Sequence, residues 1–370
     1  MNILITGANG FIGKNLILKL KESDDLNIIP FTRDTDIDSL ESLINKTDFV
    51  IHLAGENRPQ KEDFFNTGNV ELTCKICNAI RNSNKSIPVI FTSSSQAILD
   101  NPYGLSKLKA EKIIEDLYLE TGNYCVIYRL PGVFGKWCKP NYNSVVATFC
   151  YNISRDIPIK ISNPDYEINL VYIDDFIDDI LSVIRNMKGK DKIERREITP
   201  AYSINLQDLA NQILKFKESR NTLISEDVGT GLVRALYATY ISYLPTEKFI
   251  YEIPSHSDAR GDFVEMLKTK KSGQCSYFTA HPGVTRGDHY HHTKTEKFLV
   301  LNGTALFAFR NMDTGESFSI QVDHLIPKVV ETIPGWTHNI KNIGSNDLIV
   351  MLWVNEIFDS KNPDTFLTKV

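Results

Sequence analysis

The chain lacks the features that would assign it to a membrane, a disulfide scaffold or a nucleic acid. Its six cysteines are scattered through 370 residues, which is typical of reduced thiols in a reducing compartment. No run of about eighteen apolar residues exists, so we expect no membrane span. The net charge is −5, which does not favour nucleic acid or an anionic membrane as a partner. The N-terminus already reads as a strand, which leaves no room for a signal peptide, so we expect a cytoplasmic protein.

The sequence also lacks a second cysteine pair. Cys74 and Cys77 form a lone CxxC inside an apparent helix, and metal sites of this kind need a partner pair. We interpret both as thiols in or near a core. Hydrophobic residues at 42% and charged residues at 24% describe a globular protein. At this length we expect two domains, 1–245 and 246–370.

The first twenty residues predict a nucleotide-binding turn. An apolar run at Ile3–Ile5 leads into Gly7, Gly10 and Gly13, and helical spacing follows. A strand, a glycine turn and a helix are the context that makes such a motif credible. The glycines would allow the tight turn, the approach of a pyrophosphate and close packing of helix on strand, although they could also serve the turn alone.

The end of the second predicted strand bears on the choice of cofactor. Arg33 follows the strand Asn27–Phe31, where an acidic residue binds the 2′-hydroxyl of NAD and a basic residue accommodates the 2′-phosphate of NADP. Arg33 therefore favours NADP. Because the acidic Asp34 lies beside it, the alternative that Arg33 is an ordinary surface arginine in a loop stays open.

A tyrosine and a lysine four residues apart predict acid–base chemistry. Tyr103 and Lys107 would share a helix face, and a neighbouring ammonium would lower the pKa of the phenol so that it could exchange a proton with a substrate oxygen. A serine at the end of the preceding strand, Ser94 with Ser95 as the alternative, could hold that oxygen. His52, inside a predicted strand, reads as a core histidine.

These pieces resemble the extended short-chain dehydrogenases/reductases of the nucleotide-sugar type, over residues 1 to about 245. The resemblance implies a Rossmann-like, doubly wound parallel α/β sheet, NAD(P)(H) and a sugar carried on a nucleoside diphosphate. It also implies that Lys107 binds the nicotinamide ribose and that the cofactor contacts the following residues: Phe11, Ile12, Leu53, Ala54 and Gly55. The substrate would lie along residues 135–149, where a polar loop offers Lys136, Lys139, Asn141 and Asn143.

The second half of the chain predicts short antiparallel strands and a metal site. Alternating segments separated by glycine, proline, asparagine and aspartate indicate a small β-sandwich or barrel. His289 and His291 would project from one face of a strand, Glu296 begins the next strand, and His338 supplies a third imidazole. This set suits a divalent transition metal such as zinc or iron. A metal-free pocket is the alternative.

This half resembles the cupins, over residues 252–370, which implies an all-β double-stranded β-helix. The second cupin motif departs from the pattern at Pro334-Gly335, which leaves open how His338 reaches the metal and keeps His292 as an alternative ligand. Tyr290 and Lys297 lie near the metal ligands in sequence, but neither is assigned as the base.

The whole chain resembles the bifunctional enzymes of capsular-polysaccharide and O-antigen synthesis that act before N-acetyl-L-fucosamine. The resemblance implies that a zinc-binding cupin epimerises C3 of a UDP-4-keto-6-deoxy-HexNAc. The first domain would then reduce C4 with NADPH, and the enzyme would be a homodimer. Two alternatives stay open: a reductase whose cupin serves dimerisation or folding, and a non-enzymatic NADP sensor.

Overall fold

The structure, a computed structural model, describes residues 1–59, 61, 63–186, 192–249, 251–292, 294–312, 314–332 and 334–370. The chain forms two compact units. The first comprises Met1–Ile213 with Arg234–Leu244, and the second comprises Leu214–Val233 with Pro245–Val370. Among the described helices, none combines the length and the apolar character needed to cross a bilayer.

Nine strands lie in the described part of the first unit, and six of them form one parallel sheet in the order β2-β1-β3-β4-β5-β8. The strands are β1 Asn2–Thr6, β2 Asn27–Phe31, β3 Phe49–His52, β4 Val89–Ser94, β5 Cys125–Leu130, β6 Gly132–Phe134, β7 Glu167–Tyr172, β8 Ile193–Arg196 and β9 Tyr202–Asn205. Strands β6, β7 and β9 form a smaller sheet. The expected Rossmann-like sheet is thereby confirmed.

Burial inside the large sheet accounts for the apolar sequences of its central strands. Ile3, Leu4 and Ile5 of β1 are completely buried, as are Val50 and Ile51 of β3, because parallel strands are covered on both faces and read as continuous apolar runs. The chain leaves β1 toward β2 and returns on the other side at β3. The ends of β1 and β3 therefore flank the switch point where such sheets bind ligands.

The helices are α1 Phe11–Leu20, α2 Leu40–Asn45, α3 Asp63–Phe65, α4 Leu72–Asn82, α5 Pro102–Thr121, α6 Val145–Ser154, α7 Ile173–Arg185, α8 Leu206–Thr222 and α9 Gly231–Ser242. Helix α5 carries Tyr103 as its second residue. The Asn101 side chain accepts a hydrogen bond from the Gly104 N–H, and Pro102 occupies the first turn, where its missing N–H costs nothing.

Strands make up most of the regular structure that is described in the second unit, as expected. Its strands are β10 Ile224–Ser225, β11 Ser255–Asp258, β12 Gly261–Thr269, β13 Gly273–Ala280, β14 Thr285–Tyr290, β15 Glu296–Asn302, β16 Thr304–Asn311, β17 Ser317–Asp323, β18 Val329–Glu331, β19 Trp336–Asn342, β20 Leu348–Val354 and β21 Phe366–Leu367. One sheet has the order β10-β12-β13-β20-β15-β18, with β11 beside β12, and the other has the order β17-β16-β19-β14-β21.

The segment Leu214–Val233 was not expected in the second unit, because the division near residue 245 placed it in the first. The reason lies in pairing: β10 adds to β12 as a parallel neighbour, with Ile224 opposite Lys268. Lys270 also forms an ion pair with Glu226. Contacts between segments this far apart in the chain leave no periodic pattern in the sequence.

Candidate active and metal sites

The glycine turn between β1 and α1 is packed too tightly for side chains. Gly7 has φ +68°, in the left-handed region, and a Cβ on it would lie 2.8 Å from the Ala54 N. A Cβ on Gly13 would lie 2.4 Å from the Gly7 carbonyl oxygen. Gly10 precedes α1 in extended conformation. The first N–H groups of α1 have no intrahelical acceptor and suit an anion such as a pyrophosphate.

The residues after β2 and β3 meet beside this turn. Ala54 donates its N–H to the Thr6 Oγ1 at 3.1 Å, which joins the ends of β1 and β3. Arg33 is 82% exposed and forms an ion pair with Glu56. The guanidinium therefore lies beyond the end of β2, as predicted from the sequence, and the Glu56 carboxylate is its ionic partner there.

The structure brings Ser94, Tyr103 and Lys107 together. Ser94 ends β4, and its hydroxyl lies beside the Tyr103 phenol, where it can donate a hydrogen bond to the phenol oxygen. Lys107 follows one turn later on α5 and donates its Nζ to the Thr92 carbonyl oxygen at 3.0 Å. The same Nζ packs on Gly55, where a Cβ would approach it to 2.9 Å. Lys107 is thus fixed between β4 and the loop after β3.

The electrostatics of this site differ from the sequence expectation. Lys107 was expected to lower the pKa of Tyr103. Instead burial raises the pKa of Tyr103, and the Ser94 hydrogen bond opposes that shift. Burial lowers the pKa of Lys107 to about 8, against the opposing charge of Glu111. The ammonium is committed to the Thr92 carbonyl, so its effect on the phenol is small.

The three serines at the end of β4 have distinct environments. The Ser93 hydroxyl donates to Glu111, which also pairs with Arg129. Ser95 is exposed. Only Ser94 of these three contacts Tyr103, so the geometry favours Ser94 over Ser95.

Asn69 is a site residue that the sequence analysis missed. It is 2% exposed, and its amide accepts from the Glu56 N–H at 2.7 Å and donates to the Glu56 carbonyl at 3.0 Å and the Ser106 Oγ at 2.9 Å. It therefore ties the loop after β3 to the helix that carries Lys107. A single asparagine outside any recognised motif gives no functional signal in the sequence.

His52 is a satisfied core histidine, as expected from the sequence. Its Nδ1 lies 2.7 Å from the Thr6 Oγ1 and its Nε2 lies 2.9 Å from the Thr73 Oγ1. Burial lowers the pKa of His52 to about 3, and the Lys107 charge adds to this shift. The neutral ring links β1, β3 and α4.

The predicted substrate loop is only partly available for binding. The Lys136 Nζ pairs with Asp174 at 2.8 Å, and the Asn141 amide reaches Asn152. Asn143 is exposed. A cavity of about 590 Å³ lies between this loop and the glycine turn, and its lining includes Gly10, Phe11, Lys14, Trp137, Lys139 and Arg155. Of the four residues named from the sequence, Lys139 faces this cavity.

In the second unit, His289, His291, Glu296 and His338 converge. One ligand atom from each lies within 4.8 Å of all the others. His289 pairs with His338 across β14 and β19, after a bulge that places Asp288 at φ +58°. The Nε2 atoms of His291 and His338 lie 3.2 and 3.1 Å from the same Glu296 oxygen.

The protonation pattern of this cluster fits a metal. Burial lowers the pKa of His289 to about 4, which keeps that imidazole neutral. The Nδ1 of His291 lies 2.6 Å from the Asp364 carbonyl oxygen and donates there, so its Nε2 is the nitrogen that faces the Glu296 oxygen. Three imidazoles and a carboxylate suit a divalent transition metal with a position open.

The charge on Glu296 supports this interpretation. Burial alone would raise its pKa, but the hydrogen bonds and charges of His291 and His338 outweigh burial and lower the pKa of Glu296 well below its usual range. The ionised carboxylate is the form that binds a metal. Its backbone N–H donates to the Thr332 Oγ1 at 2.9 Å.

The other residues named near the metal lie elsewhere. His292 is exposed, and its ring packs on Tyr290 and Phe366, so it does not join the cluster. Tyr290 stacks on Phe366, and Lys297 pairs with Glu331. Both belong to the face opposite the ligands, because neighbours along a strand alternate. Neither is placed to act as a base at the metal.

Comparison with known proteins identifies both halves. Residues 3–198 match the NAD dependent epimerase/dehydratase family, and residues 256–366 match the polysaccharide biosynthesis C-terminal domain. UDP-2-acetamido-2,6-beta-L-arabino-hexul-4-ose reductase of Pseudomonas aeruginosa is 52% identical, over 100% of this chain and 99% of its own.

Solved structures agree. Capsular polysaccharide assembling protein CapF of Staphylococcus aureus is 40% identical, covers 100% of both chains and has a TM-score of 0.92. UDP-glucuronic acid 4-epimerase of Bacillus cereus, at 18% identity and TM-score 0.56 over 66% of this chain and 98% of its own, shares the fold alone. This chain therefore belongs to the NAD-dependent epimerase/dehydratase family and carries a polysaccharide biosynthesis C-terminal domain.

Proposed function

We propose that the first unit reduces the C4 ketone of a UDP-4-keto-6-deoxy-HexNAc with NADPH. The name of the Pseudomonas aeruginosa relative, a UDP-sugar 4-ulose reductase at 52% identity, supports the reaction class. The contact of Ser94 with Tyr103 at the end of β4 supports the chemistry. Bound NADPH would supply the hydride to C4.

Residues of this chain would donate the proton that the C4 oxygen takes up on reduction. Burial raises the pKa of Tyr103, so the phenol is protonated at neutral pH, which is the form that can give a proton to O4. The Ser94 hydroxyl would hold the same oxygen and so orient the ketone. Lys107, fixed against Thr92 and Gly55, would bind the nicotinamide ribose.

The choice of NADPH rests on Arg33. Its exposed guanidinium follows β2 and reaches Glu56, at the edge where the adenosine ribose of such cofactors lies. A 2′-phosphate would replace the Glu56 carboxylate as the anionic partner of the guanidinium. Measuring turnover with NADPH and NADH tests this choice.

We propose that the second unit epimerises C3 of the same sugar before the reduction. The four-residue cluster at His289, His291, Glu296 and His338 would hold a divalent metal, which we take to be zinc. Such a metal would polarise the C4 carbonyl and so make the C3 proton acidic. Epimerisation must precede reduction because the C3 proton loses its acidity once the ketone is gone. The product would be UDP-2-acetamido-2,6-dideoxy-L-talose.

The observation that carries this proposal is the presence of both sites in one chain, a proton donor beside a nucleotide turn and a metal cluster. The test incubates the protein with a UDP-4-keto-6-deoxy-HexNAc in D₂O without NADPH and follows the sugar by NMR. Deuterium at C3 is expected. The same exchange should disappear in His289→Ala and persist in Tyr103→Phe, which separates the two sites.

A second candidate is a reductase of single activity, and the printed name of the relative, which mentions reduction alone, favours it. In that case the metal cluster would serve folding. Turnover of NADPH without any deuterium exchange would establish this candidate and exclude the epimerase. A sensor without catalysis would show neither reaction, and Tyr103→Phe would then change nothing.

We further propose a homodimer that works in the cytoplasm, where NADPH and UDP-sugars are made. An apolar row crosses the outer face of one sheet of the second unit, with Tyr277, Met351, Leu299 and Val329 opposite one another on four strands. A second copy of this chain would cover that row. Sedimentation of Met351→Lys compared with the wild-type protein tests the dimer.

A further inference from the structure

The last residues of the chain run along the strand that carries the metal ligands. We call Pro363–Val370 the C-terminal strap. Its strand β21 pairs with β14, with Leu367 opposite His289 and Phe366 opposite Tyr290. The Thr368 N–H donates to the Asp288 carbonyl at 2.8 Å. The strap therefore covers the edge of the sheet beside the ligands.

Asp364 makes the contacts closest to the metal cluster. Its carbonyl oxygen accepts from the His291 Nδ1 at 2.6 Å. Its carboxylate accepts from the His292 N–H at 2.9 Å and from the Lys294 N–H at 2.8 Å. One residue thus fixes the proton on the ring of His291 and also the backbone N–H groups of His292 and Lys294.

Lys294 anchors the strap from the other side. This side chain is 5% exposed, and its Nζ donates to the Pro363 carbonyl at 2.8 Å and the Thr365 Oγ1 at 2.6 Å. A buried ammonium with these acceptors holds the backbone on both sides of Asp364. Asp364 itself has φ +34°, a conformation that aspartate and asparagine tolerate better than most residues.

We propose that Asp364 is a positioning residue for the metal centre, and that the C-terminal strap sets the geometry of the His291 ligand. The inference rests on the metal site proposed above. The physical reason is that a ring nitrogen that donates to a fixed acceptor leaves the other nitrogen with a lone pair in a fixed direction. The carboxylate keeps His291 and Glu296 at the separation that one ion requires.

The test measures zinc affinity of the full-length protein by competition with a chromophoric chelator. Asp364→Ala keeps the carbonyl and removes the carboxylate, and we expect zinc to bind about 10- to 100-fold more weakly. Asp364→Asn keeps one acceptor oxygen and the backbone conformation, so its affinity should stay near wild type. A chain that ends at Asn362 loses the carbonyl as well and should bind most weakly.

Asp347→Ala is the matched control. Asp347 is an exposed carboxylate that accepts from the His281 Nδ1 at 2.9 Å. It precedes Leu348, the first residue of β20, whereas Val354 at the end of β20 pairs with Glu296, about 20 Å away along the strand. This variant loses a surface contact of the same kind and should keep its zinc affinity.

A second measurement separates positioning from stability. The absorption bands of bound Co²⁺ report ligand geometry, and we expect them to shift in Asp364→Ala and to return in Asp364→Asn. Unchanged zinc affinity and cobalt bands in Asp364→Ala, even with a lower melting temperature, would overturn the inference. A wild-type protein that binds neither metal would overturn the metal site itself, which is a different result.

Discussion

Lys107 offers a sharp test because it is a buried charge. Its pKa is lowered from 10.5 to about 8, chiefly by burial, and each tenfold change in proton affinity corresponds to about 1.4 kcal/mol. Keeping this lysine charged at pH 7 therefore costs the folded state about 3 kcal/mol. Lys107→Met removes that cost, while the Thr92 carbonyl loses a donor, a loss of about 1–3 kcal/mol.

The net effect of Lys107→Met at pH 7 is a small gain of about 0–2 kcal/mol, and its pH dependence is the stronger prediction. Between the folded pKa and 10.5, the unfolded state binds the proton that the folded state has released, so wild-type stability rises with pH. The advantage of Lys107→Met should fall by about 2–3 kcal/mol between pH 7 and pH 10. Below pH 7 it should be constant.

The assay is urea unfolding followed by tryptophan fluorescence. Trp137 belongs to the first unit, and Trp336 and Trp353 belong to the second, so a background with both of the latter changed to Phe reports the first unit. Lys112→Met, an exposed lysine on the same helix, is the control and should show no such trend. An advantage of Lys107→Met that does not change with pH would refute the reasoning. Reduction should meanwhile fall at least about 100-fold.

Four further predictions concern the same unit. Tyr103→Phe should lower kcat for reduction by about 10²–10⁴-fold with an unchanged melting temperature, and a variant with near wild-type turnover would contradict the proposed donor. Ser94→Ala should lower kcat as well, whereas Ser95→Ala should not, because only the first contacts the phenol; equal effects would contradict that distinction. Gly13→Ala places a Cβ 2.4 Å from the Gly7 carbonyl and should cost about 1–3 kcal/mol of stability together with cofactor affinity, both measurable by thermal shift with and without NADPH. Arg33→Ala should raise KM for NADPH and leave KM for NADH unchanged, and an unaltered preference would exclude Arg33 from the site.

Acidification should weaken the second unit through Glu296. Its pKa is lowered in the folded state because the hydrogen bonds from His291 and His338 outweigh burial. The stability from this carboxylate is present above its ordinary pKa and is lost as the pH falls below it. Metal-free protein should therefore show a melting temperature of the second unit that falls below about pH 4.5, and Glu296→Gln should remove that part of the trend.

The sequence by itself determined the local parts of both sites. The spacing of Gly7, Gly10 and Gly13, the apolar run of β1, and the tyrosine and lysine four residues apart each reflect a rule that acts within one strand, turn or helix. The candidate metal ligands His289, His291 and Glu296 also lie within one short stretch. Such patterns can be read because the physical constraint and the residues that satisfy it are neighbours in the chain.

The tertiary structure decided what depends on distant neighbours. It placed Ser94 beside Tyr103, directed Lys107 to the Thr92 carbonyl, and left His292 outside the candidate metal cluster. It also joined Asp364 to His291, 73 residues earlier, and moved Leu214–Val233 into the second unit. Hydrogen bonds and burial between segments far apart in sequence impose no periodicity on either segment, so only the folded chain reveals them.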